Sequence, residues 1–288
     1  MLKIRKEELE KILPTDGPSL NEVKKYIKKY SNEFIVIKCG GSVLVNQELF
    51  NIFIKDISVL NKIGFIPIII HGGGKRISNK LNELGIKSNF IKGLRVTKED
   101  TIEVVEKVLI DFNHEIVQAL KRQLCNGQAI NSKENNIINV IQENSELGFV
   151  GTPTEINKTI IDKIVDKKQV PVIAPLGLDK HDQTYNINAD TVAGSIAKKI
   201  KARRLIIMSD VEGVLDNDKK LIPEINSNSI KDLIDNETVT GGMIPKINNC
   251  LDVATNGVKG VVIIDGRKNH SILFELLSDE GSGTLIRQ

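Results

Sequence analysis

The chain has 288 residues, and its 40 lysine and arginine residues nearly balance its 37 aspartate and glutamate residues, which gives a formal net charge of +3. This balance argues against a nucleic-acid binder, because such proteins carry a clustered excess of basic residues. A chain of this length buries one large core or two smaller ones that share a cleft.

The sequence indicates neither a targeting segment nor a metal site. No run approaches the roughly 20 apolar residues that span a bilayer, and the charged N-terminus MLKIRKEELEKIL differs from a secretory signal, so we expect a cytoplasmic protein. The cysteines are odd in number and lack paired spacing, and the four histidines show no ligand spacing. We therefore expect reduced thiols at Cys39, Cys125 and Cys250, and no metal centre built from side chains.

The N-terminal segment is predicted to contain a short helix after the turn formers PTDGPS of residues 14–19. Ser19 followed by Glu22 is a capping-box pattern, and apolar residues recur at helical spacing from residue 20 to residue 30. The apolar stripe of this helix packs either on its own domain or against another subunit, and the sequence leaves both possibilities open.

From residue 34 onward, short apolar runs alternate with helical patterns. Such runs are typical of strands that are covered on both faces, and the alternation predicts βαβ units. The predicted strands are FIVIK, FIPIII, VPVIAPL, RLIIMSD and GVVIID. The predicted helices are 47–62, 75–84, 98–124, 156–168, 189–201, 241–257 and 268–277. The fold class is therefore α/β, with an open, mainly parallel sheet sandwiched by helices.

Two local patterns refine this prediction. Thr97 and Asp100 resemble a capping box, which predicts the start of the long helix that follows them. Residues 136–156 indicate a hairpin, expected to be antiparallel.

Ligands of open α/β sheets bind beyond the carboxyl ends of the strands, so the turns there are the expected site. Two of these turns, KCGGS and HGGGKR, are rich in glycine, although neither fits a P-loop or a GxGxxG fingerprint. Tight strand-to-helix turning alone would explain one such cluster. Two clusters after successive buried strands indicate paired backbone N–H cradles that hold two anions side by side.

Two lysines and one aspartate are candidates for charge stabilisation. Lys38 ends a buried strand beside the first glycine pair, and Lys246 begins a late helix, although an isolated lysine is normally a solvated surface residue. Asp190 lies where the loop NINAD enters a helix. A carboxylate there can hold cationic side chains in place, while the simpler explanation is that Asp190 or Asn188 caps the helix.

A set of ordered motifs resembles the N-acetylglutamate kinases, a group within the amino acid kinase family. The resemblance runs from about residue 34 to residue 287, nearly the whole chain. Its motifs are IVIKCGGS, IIHGGGKRIS, KGLRVT, LGFVG, VIAPLG, NINADTVAG, SDVEGVL, VTGGMIPK, IIDGR and DEGSGTLI. Residues 131–136, NSKENN, depart from the family pattern just before the predicted hairpin.

The resemblance implies transfer of the γ-phosphoryl group of ATP to the side-chain carboxylate of N-acetyl-L-glutamate. It implies that Lys38 and Lys246 stabilise the transferring group and that Asp190 orients both lysines. The acceptor is expected at Gly73, Gly74, Arg95 and Asn186. The nucleotide is expected at Gly40, Gly41, Asp210, Gly213 and Met243, and Mg²⁺ is expected to arrive with ATP, bound through phosphates and water rather than side chains.

The resemblance also implies domains and regulation. Residues 1–33 would form an N-terminal helical extension, residues 34–203 an acetylglutamate-binding lobe and residues 204–288 an ATP-binding lobe. An arginine-inhibited hexamer, a trimer of dimers, is favoured over a dimer. The effector site is expected at Glu280, Gly281 and His270.

Alternative functions stay open at this point. One alternative is a kinase for a neighbouring acceptor, such as N-acetyl-aminoadipate or a carrier-linked glutamate. One methylene distinguishes the first of these from N-acetylglutamate, and a pocket discriminates a methylene by only about 1–3 kcal/mol. A kinase-dead arginine sensor is a further alternative, and it predicts erosion of the lysines or of the aspartate.

Overall fold

The computed structural model describes residues 5–239 and 243–288. Residues 240–242 of the motif VTGGMIPK lie outside the described residues, as do residues 1–4 of the predicted extension. Within the described ranges, no helix combines the length and the apolar character needed to span a membrane.

The secondary structure follows the predicted alternation of strands and helices. The helices are α1 (Lys6–Ile12), α2 (Leu20–Tyr30), α3 (Gln47–Lys62), α4 (Gly74–Glu83), α5 (Glu99–Arg122), α6 (Ser132–Asn135), α7 (Lys158–Asp166), α8 (Ala189–Ile200), α9 (Ser227–Asp235), α10 (Met243–Thr255) and α11 (Ser271–Leu277). The strands are β1 (Phe34–Cys39), β2 (Ile66–His71), β3 (Phe90–Ile91), β4 (Leu94–Arg95), β5 (Gly127–Ile130), β6 (Ile138–Gln142), β7 (Gly151–Ile156), β8 (Val170–Ile173), β9 (Leu176–Leu178), β10 (Thr184–Asn186), β11 (Arg204–Ser209), β12 (Glu224–Asn226), β13 (Val261–Asp265) and β14 (Gly283–Arg287).

The main sheet has eight strands in the order β12-β14-β13-β11-β1-β2-β8-β5. All neighbouring pairs are parallel except β13 and β14, which are antiparallel. The predicted open, mainly parallel sheet is therefore confirmed. The central strands β1 and β2 place both glycine turns at the same edge, because parallel strands end on the same side.

Helices cover both faces of this sheet, which explains why the interiors of its central strands are apolar on both sides. In β1, Ile35 and Ile37 pack in a core with α3, α5 and α11, whereas Val36 packs in a second core with α8 and α10. Each of these side chains is fully buried, and burial of one such residue stabilises the fold by about 1.5–3 kcal/mol.

The predicted hairpin of residues 136–156 is confirmed as β6 and β7, which pair antiparallel in a separate sheet of order β10-β9-β6-β7. The departing segment NSKENN just before it forms the single helical turn α6. Asn131 caps this turn by accepting a hydrogen bond from the backbone N–H of Glu134 at 3.0 Å.

The predicted N-terminal helix is confirmed as α2, with the capping box of Ser19 and Glu22 in place. Its apolar stripe packs into the core of its own chain, where Val23 and Tyr30 are buried. The segment from residue 13 to residue 19, which contains both prolines of the extension, separates α1 from α2.

The predicted capping box at Thr97 and Asp100 is wrong. Helix α5 begins after Lys98 and has no side-chain cap. The Thr97 hydroxyl instead donates to the carbonyl of Arg95 at 3.2 Å, because Thr97 continues from strand β4 and not from a free loop. The sequence pattern does not reveal that the Arg95 carbonyl competes with the helix N-terminus for the Thr97 hydroxyl.

The predicted division into two lobes falls at β11, which starts at Arg204 and pairs with β1. The sheet runs continuously through this position, and the lobe boundary stays a prediction. The three cysteines are buried free thiols, and burial raises the pKa of Cys39 to about 12.

Candidate active site

The two glycine turns lie side by side at the carboxyl edge of the sheet. Cys39 of β1 pairs with His71 of β2, and the Gly72 N–H donates to the Cys39 carbonyl at 2.8 Å. Both turns line one cavity of about 680 Å³. The two predicted anion cradles therefore share a single space.

The first turn requires glycine for steric reasons. A Cβ atom on Gly40 would lie 2.6 Å from Nζ of Lys38. Gly41 has a φ of +61°, and a Cβ atom there would overlap the carboxylate of Asp210. That carboxylate accepts a hydrogen bond from the Ser42 N–H at 2.8 Å and thereby holds the turn in place.

The second turn runs into the N-terminus of α4. Gly73 is the residue before the helix and Gly74 is its first residue, so their N–H groups are free of intrahelical partners. A Cβ atom on Gly73 would lie 2.5 Å from Leu109, whereas the space around Gly74 is open. The helix N-terminus and these N–H groups favour a negatively charged ligand.

Lys38 and Lys246 meet on the carboxylate of Asp190. Nζ of Lys38 lies 3.0 Å from Oδ1, and Nζ of Lys246 donates to Oδ2 at 3.2 Å. The side chains are 14%, 20% and 22% exposed for Lys38, Lys246 and Asp190, so the cluster is largely shielded from water. Burial by itself would raise the pKa of Asp190, but the two ammonium groups outweigh it and hold that pKa below its usual value.

Asn188, and not Asp190, supplies the side-chain cap of α8. Its Oδ1 accepts hydrogen bonds from the N–H groups of Asp190 at 2.8 Å and Thr191 at 3.3 Å. This arrangement places Asp190 in the first turn of the helix with its carboxylate directed at the lysines. Within the loop NINAD, Asn188 therefore caps the helix and Asp190 holds the two lysines.

Arg95 is a buried cation that lines the same cavity. Its side chain donates to the Gly74 carbonyl at 2.9 Å and to the hydroxyls of Ser78 at 2.8 Å and Ser88 at 2.5 Å. The guanidinium lies over the Phe90 ring, 4.7 Å from its centroid. Burial lowers the pKa of Arg95, and no carboxylate among the described residues pairs with it. The positive charge is therefore available to an anionic ligand.

Asn186 lies at the end of β10 and lines the same cavity. Its amide donates to Thr97 Oγ1 at 3.4 Å, and its backbone N–H donates to the Phe149 carbonyl at 2.9 Å. The four-stranded sheet therefore contributes an uncharged polar group to the cavity, which Lys38 and Arg95 also line.

The residues predicted for the nucleotide are less close together. Asp210 touches the first glycine turn and lies 3.8 Å from Nζ of Lys75. Gly213 has a φ of +147° and packs against Thr284, while Met243 starts α10 and packs partly buried against the core. Within the described residues, neither Gly213 nor Met243 lines the cavity between the glycine turns.

The predicted effector residues lie at opposite ends of α11. His270 precedes the helix and is buried, with Nδ1 2.6 Å from Asp56 and Nε2 3.3 Å from Asp16. Glu280 is exposed beyond the C-terminal end, beside Gly281, which has a φ of +71°. The structure does not bring His270 together with Glu280. It shows His270 linking the N-terminal extension to α3.

Sequence reasoning missed two groups beside the cavity. Ser78 lies one turn after Gly74 on α4 and therefore on the same face of the helix. This spacing could have indicated that a side chain near Gly74, such as Arg95, also contacts Ser78. Ser88 lies in a loop without any periodic pattern. In the part of the chain that the structure describes, no cluster of three or more histidine, cysteine or carboxylate side chains has the arrangement of a metal site.

Comparisons with known proteins show the family and the fold of the chain. The sequence pattern of the amino acid kinase family matches residues 33–265. In fold, the chain is similar to the N-acetylglutamate synthase of Neisseria gonorrhoeae solved with coenzyme A and N-acetyl-glutamate, with a TM-score of 0.84 and 20% identity. That match covers 94% of this chain and 64% of the synthase chain.

The chain belongs to the amino acid kinase family. It is 68% identical to the acetylglutamate kinase of Pelagibacter ubique (strain HTCC1062) over the full length of both chains. It is also 43% identical to the acetylglutamate kinase of Campylobacter fetus subsp. fetus, over 91% of this chain and 94% of that one. The resemblance to N-acetylglutamate kinases is confirmed.

Proposed function

We propose that the chain phosphorylates the side-chain carboxylate of N-acetyl-L-glutamate with ATP and releases N-acetyl-L-glutamyl 5-phosphate, a step of arginine biosynthesis in the cytoplasm. The observation that carries this proposal is the carboxylate of Asp190 between Lys38 and Lys246, beside two glycine turns that share one cavity. The extensive identity to acetylglutamate kinases supports the choice of acceptor.

The chemistry requires electrostatics more than acid–base catalysis. An ionised carboxylate is already a nucleophile, so its attack on the γ-phosphorus needs no general base. The main obstacle is repulsion between that carboxylate and the triphosphate, which fixed cations and backbone dipoles offset. Lys38 and Lys246 stabilise the charge on the transferring phosphoryl group, and Asp190 keeps their ammonium groups in place.

The two glycine turns divide the ligands between them in this proposal. Gly40 and Gly41 offer N–H groups to the phosphates of ATP, with Asp210, Gly213 and Met243 further along the nucleotide. Mg²⁺ would accompany ATP through phosphate oxygens and water, with no side-chain ligand from this chain, and would supply neutralisation of phosphate charge. Gly73, Gly74 and Asn186 bind the acceptor, and Arg95 pairs with its α-carboxylate through two parallel hydrogen bonds.

Replacing Arg95 with lysine is expected to raise KM for N-acetylglutamate roughly ten- to hundredfold, because charged hydrogen bonds of about 1.5–3 kcal/mol are lost with the planar fork. The kcat value at saturation should change little, since Arg95 is proposed to bind a group that does not react. Steady-state kinetics with Lys87→Ala as control, an exposed residue of the same segment, checks this. An unchanged KM would show that the α-carboxylate binds elsewhere.

The activity itself is tested by incubating the protein with ATP, Mg²⁺ and N-acetylglutamate in hydroxylamine, which traps an acyl phosphate as hydroxamate. We expect hydroxamate only when acetylglutamate is present. Parallel rates on N-acetyl-aminoadipate test the nearest alternative acceptor. Folded protein that forms no acetylglutamate-dependent hydroxamate would refute the proposal.

Regulation by arginine in a hexameric ring is part of the same proposal, with the effector beside Glu280 and Gly281. Its support is the docking of α2 of the extension on the segment that holds these residues. Lys25 Nζ lies 2.5 Å from Asp279 Oδ1, the Tyr26 hydroxyl donates to the same oxygen at 2.7 Å, and the Asp279 N–H donates to Glu22 at 3.1 Å. An effector bound there would touch both the extension and the C-terminal segment.

We expect millimolar arginine to inhibit the kinase and light scattering to give the mass of six chains. Asp279→Ala removes both side-chain contacts to α2 and should weaken inhibition, whereas Asp252→Ala, which changes an exposed residue of α10, should not. Particles of two chains whose activity ignores arginine would discard the regulatory proposal and leave the kinase proposal intact.

A further inference from the structure

A fully buried histidine lies directly beneath the second glycine turn. His71 ends β2, and its ring meets the edge of Phe112 with the centroids 5.2 Å apart. Burial lowers the pKa of His71 to about 4. The ring is therefore neutral at physiological pH and carries one N–H, on either Nδ1 or Nε2.

Asn113 of α5 decides which nitrogen carries that hydrogen. Its amide nitrogen lies 3.0 Å from the Val172 carbonyl and 3.0 Å from Nε2 of His71. A carbonyl only accepts, so the amide must turn its nitrogen toward Val172, and the same NH₂ group then donates to Nε2. Nε2 is therefore an acceptor, and the ring hydrogen lies on Nδ1.

The opposite amide orientation is unfavourable. It would place two acceptor oxygens 3.0 Å apart in the core. The orientation found leaves Oδ1 of Asn113 without a partner among the described residues, which is a cost that the two donated hydrogen bonds offset.

The Nδ1–H group of His71 faces the Gly72 carbonyl at 3.0 Å. In a trans peptide the C=O of one residue and the N–H of the next point in opposite directions. Holding the Gly72 oxygen toward the buried ring therefore turns the Gly73 N–H away from it, to the side where Gly73 lines the cavity. Among the described residues, no acceptor is recorded for this N–H.

We propose that His71 is a positioning residue: its Nδ1–H tautomer, set by Asn113, orients the Gly72–Gly73 peptide so that the Gly73 N–H donates to an anionic oxygen of the reacting groups. This inference rests on the proposed kinase function and extends it beneath the cavity. The alternative role of His71 is to fill space between β2 and α5. The positioning role requires the ring hydrogen on Nδ1, whereas a space-filling role does not depend on which ring nitrogen carries the hydrogen.

The tautomer is measured directly by nitrogen-15 NMR of the full-length protein labelled at histidine, at neutral pH. The His71 signals are identified by their loss in His71→Asn. We expect a protonated Nδ1 and an unprotonated Nε2. A protonated Nε2 would overturn the proposal, and this readout holds even if the protein shows no kinase activity.

Three variants test the consequence for catalysis. His71→Leu removes the donor to Gly72, and Asn113→Asp replaces the amide donor by an acceptor and so moves the ring hydrogen to Nε2. Each should lower kcat roughly ten- to a hundredfold, somewhat less than the 10²–10³ for an oxyanion donor that is removed outright. ATP affinity, measured by calorimetry, should stay close to that of the unaltered protein.

His71→Asn places an amide nitrogen near the position of Nδ1 and should recover most of the activity lost in His71→Leu. Equal kcat values for the leucine and asparagine variants, per folded molecule, would assign His71 a space-filling role only. If His71→Leu does not fold, Asn113→Asp decides by itself, because full activity in that variant contradicts the proposal. A lack of acetylglutamate-dependent turnover in the unaltered protein would instead refute the kinase function.

Discussion

Replacing Lys246 with methionine is expected to lower kcat roughly 10²–10³-fold, the scale on which loss of one electrostatic donor slows a reaction. Lys38→Met should have an effect of similar size, because both ammonium groups lie on one carboxylate at 3.0 and 3.2 Å. Methionine keeps the length and apolar stem of lysine, so the change removes mainly the charge. KM for N-acetylglutamate should change little, since the lysines are proposed to act on the transferring phosphoryl group.

The two lysines should also be coupled. The double variant is expected to lose less than the product of the single effects, because each lysine depends on Asp190 and on the charge of the other. Single-turnover kinetics on the three variants measures this. Lys199→Met, an exposed lysine of α8, is the matched control. Single losses below about tenfold would mean that the charge of the transition state is stabilised elsewhere.

Asp190→Asn is expected to lower kcat by about two orders of magnitude, comparable with the loss of an electrostatic donor. The amide leaves two ammonium groups without their shared counter-charge in a largely buried site, so their mutual repulsion displaces at least one of them. Rapid-quench kinetics measures the loss. Asp252→Asn, which affects a half-exposed ion pair with Lys198, should leave kcat unchanged. A fully active Asp190→Asn would remove the aspartate from the mechanism.

Asp190→Asn should also change how the free energy of unfolding depends on pH. The folded state lowers the pKa of Asp190, so its ionised carboxylate contributes stability above the ordinary aspartate pKa, and this contribution is lost as the pH falls through the folded pKa. The unfolding free energies of the unaltered protein and Asp190→Asn should therefore differ most at neutral pH and converge in strong acid. Urea denaturation at both pH values checks this, and a pH-independent difference would contradict it.

The fold was predictable because the interior of a strand covered on both faces is apolar on both sides. β1, β2 and β13 show this pattern until they reach Lys38, His71 and Asp265 near their carboxyl ends, since neighbouring residues pack in opposite cores. The edge strands were harder to predict. β5, of sequence GQAI, is short and half-buried at its start, so it gave no periodic signal.

Individual residues of the candidate site could be predicted from the sequence, but their contacts with one another could not. The position of Lys38 at a strand end and the loop around Asp190 each indicated a cleft-facing group, while Lys246 was linked to them only through the family resemblance. Their contact depends on packing between β1, α8 and α10, which are far apart in sequence. The orientation of the Asn113 amide depends on a carbonyl of β8, which no sequence pattern specifies.

The most direct test is a crystal structure of the protein with N-acetylglutamate, ADP, Mg²⁺ and aluminium fluoride, which imitates the phosphoryl group in transfer. Our account predicts that Nζ of Lys38 and Nζ of Lys246 both lie within about 3 Å of the fluoride ligands, with the Asp190 carboxylate still between them. Either nitrogen at roughly twice that hydrogen-bond distance in the closed complex would contradict the account.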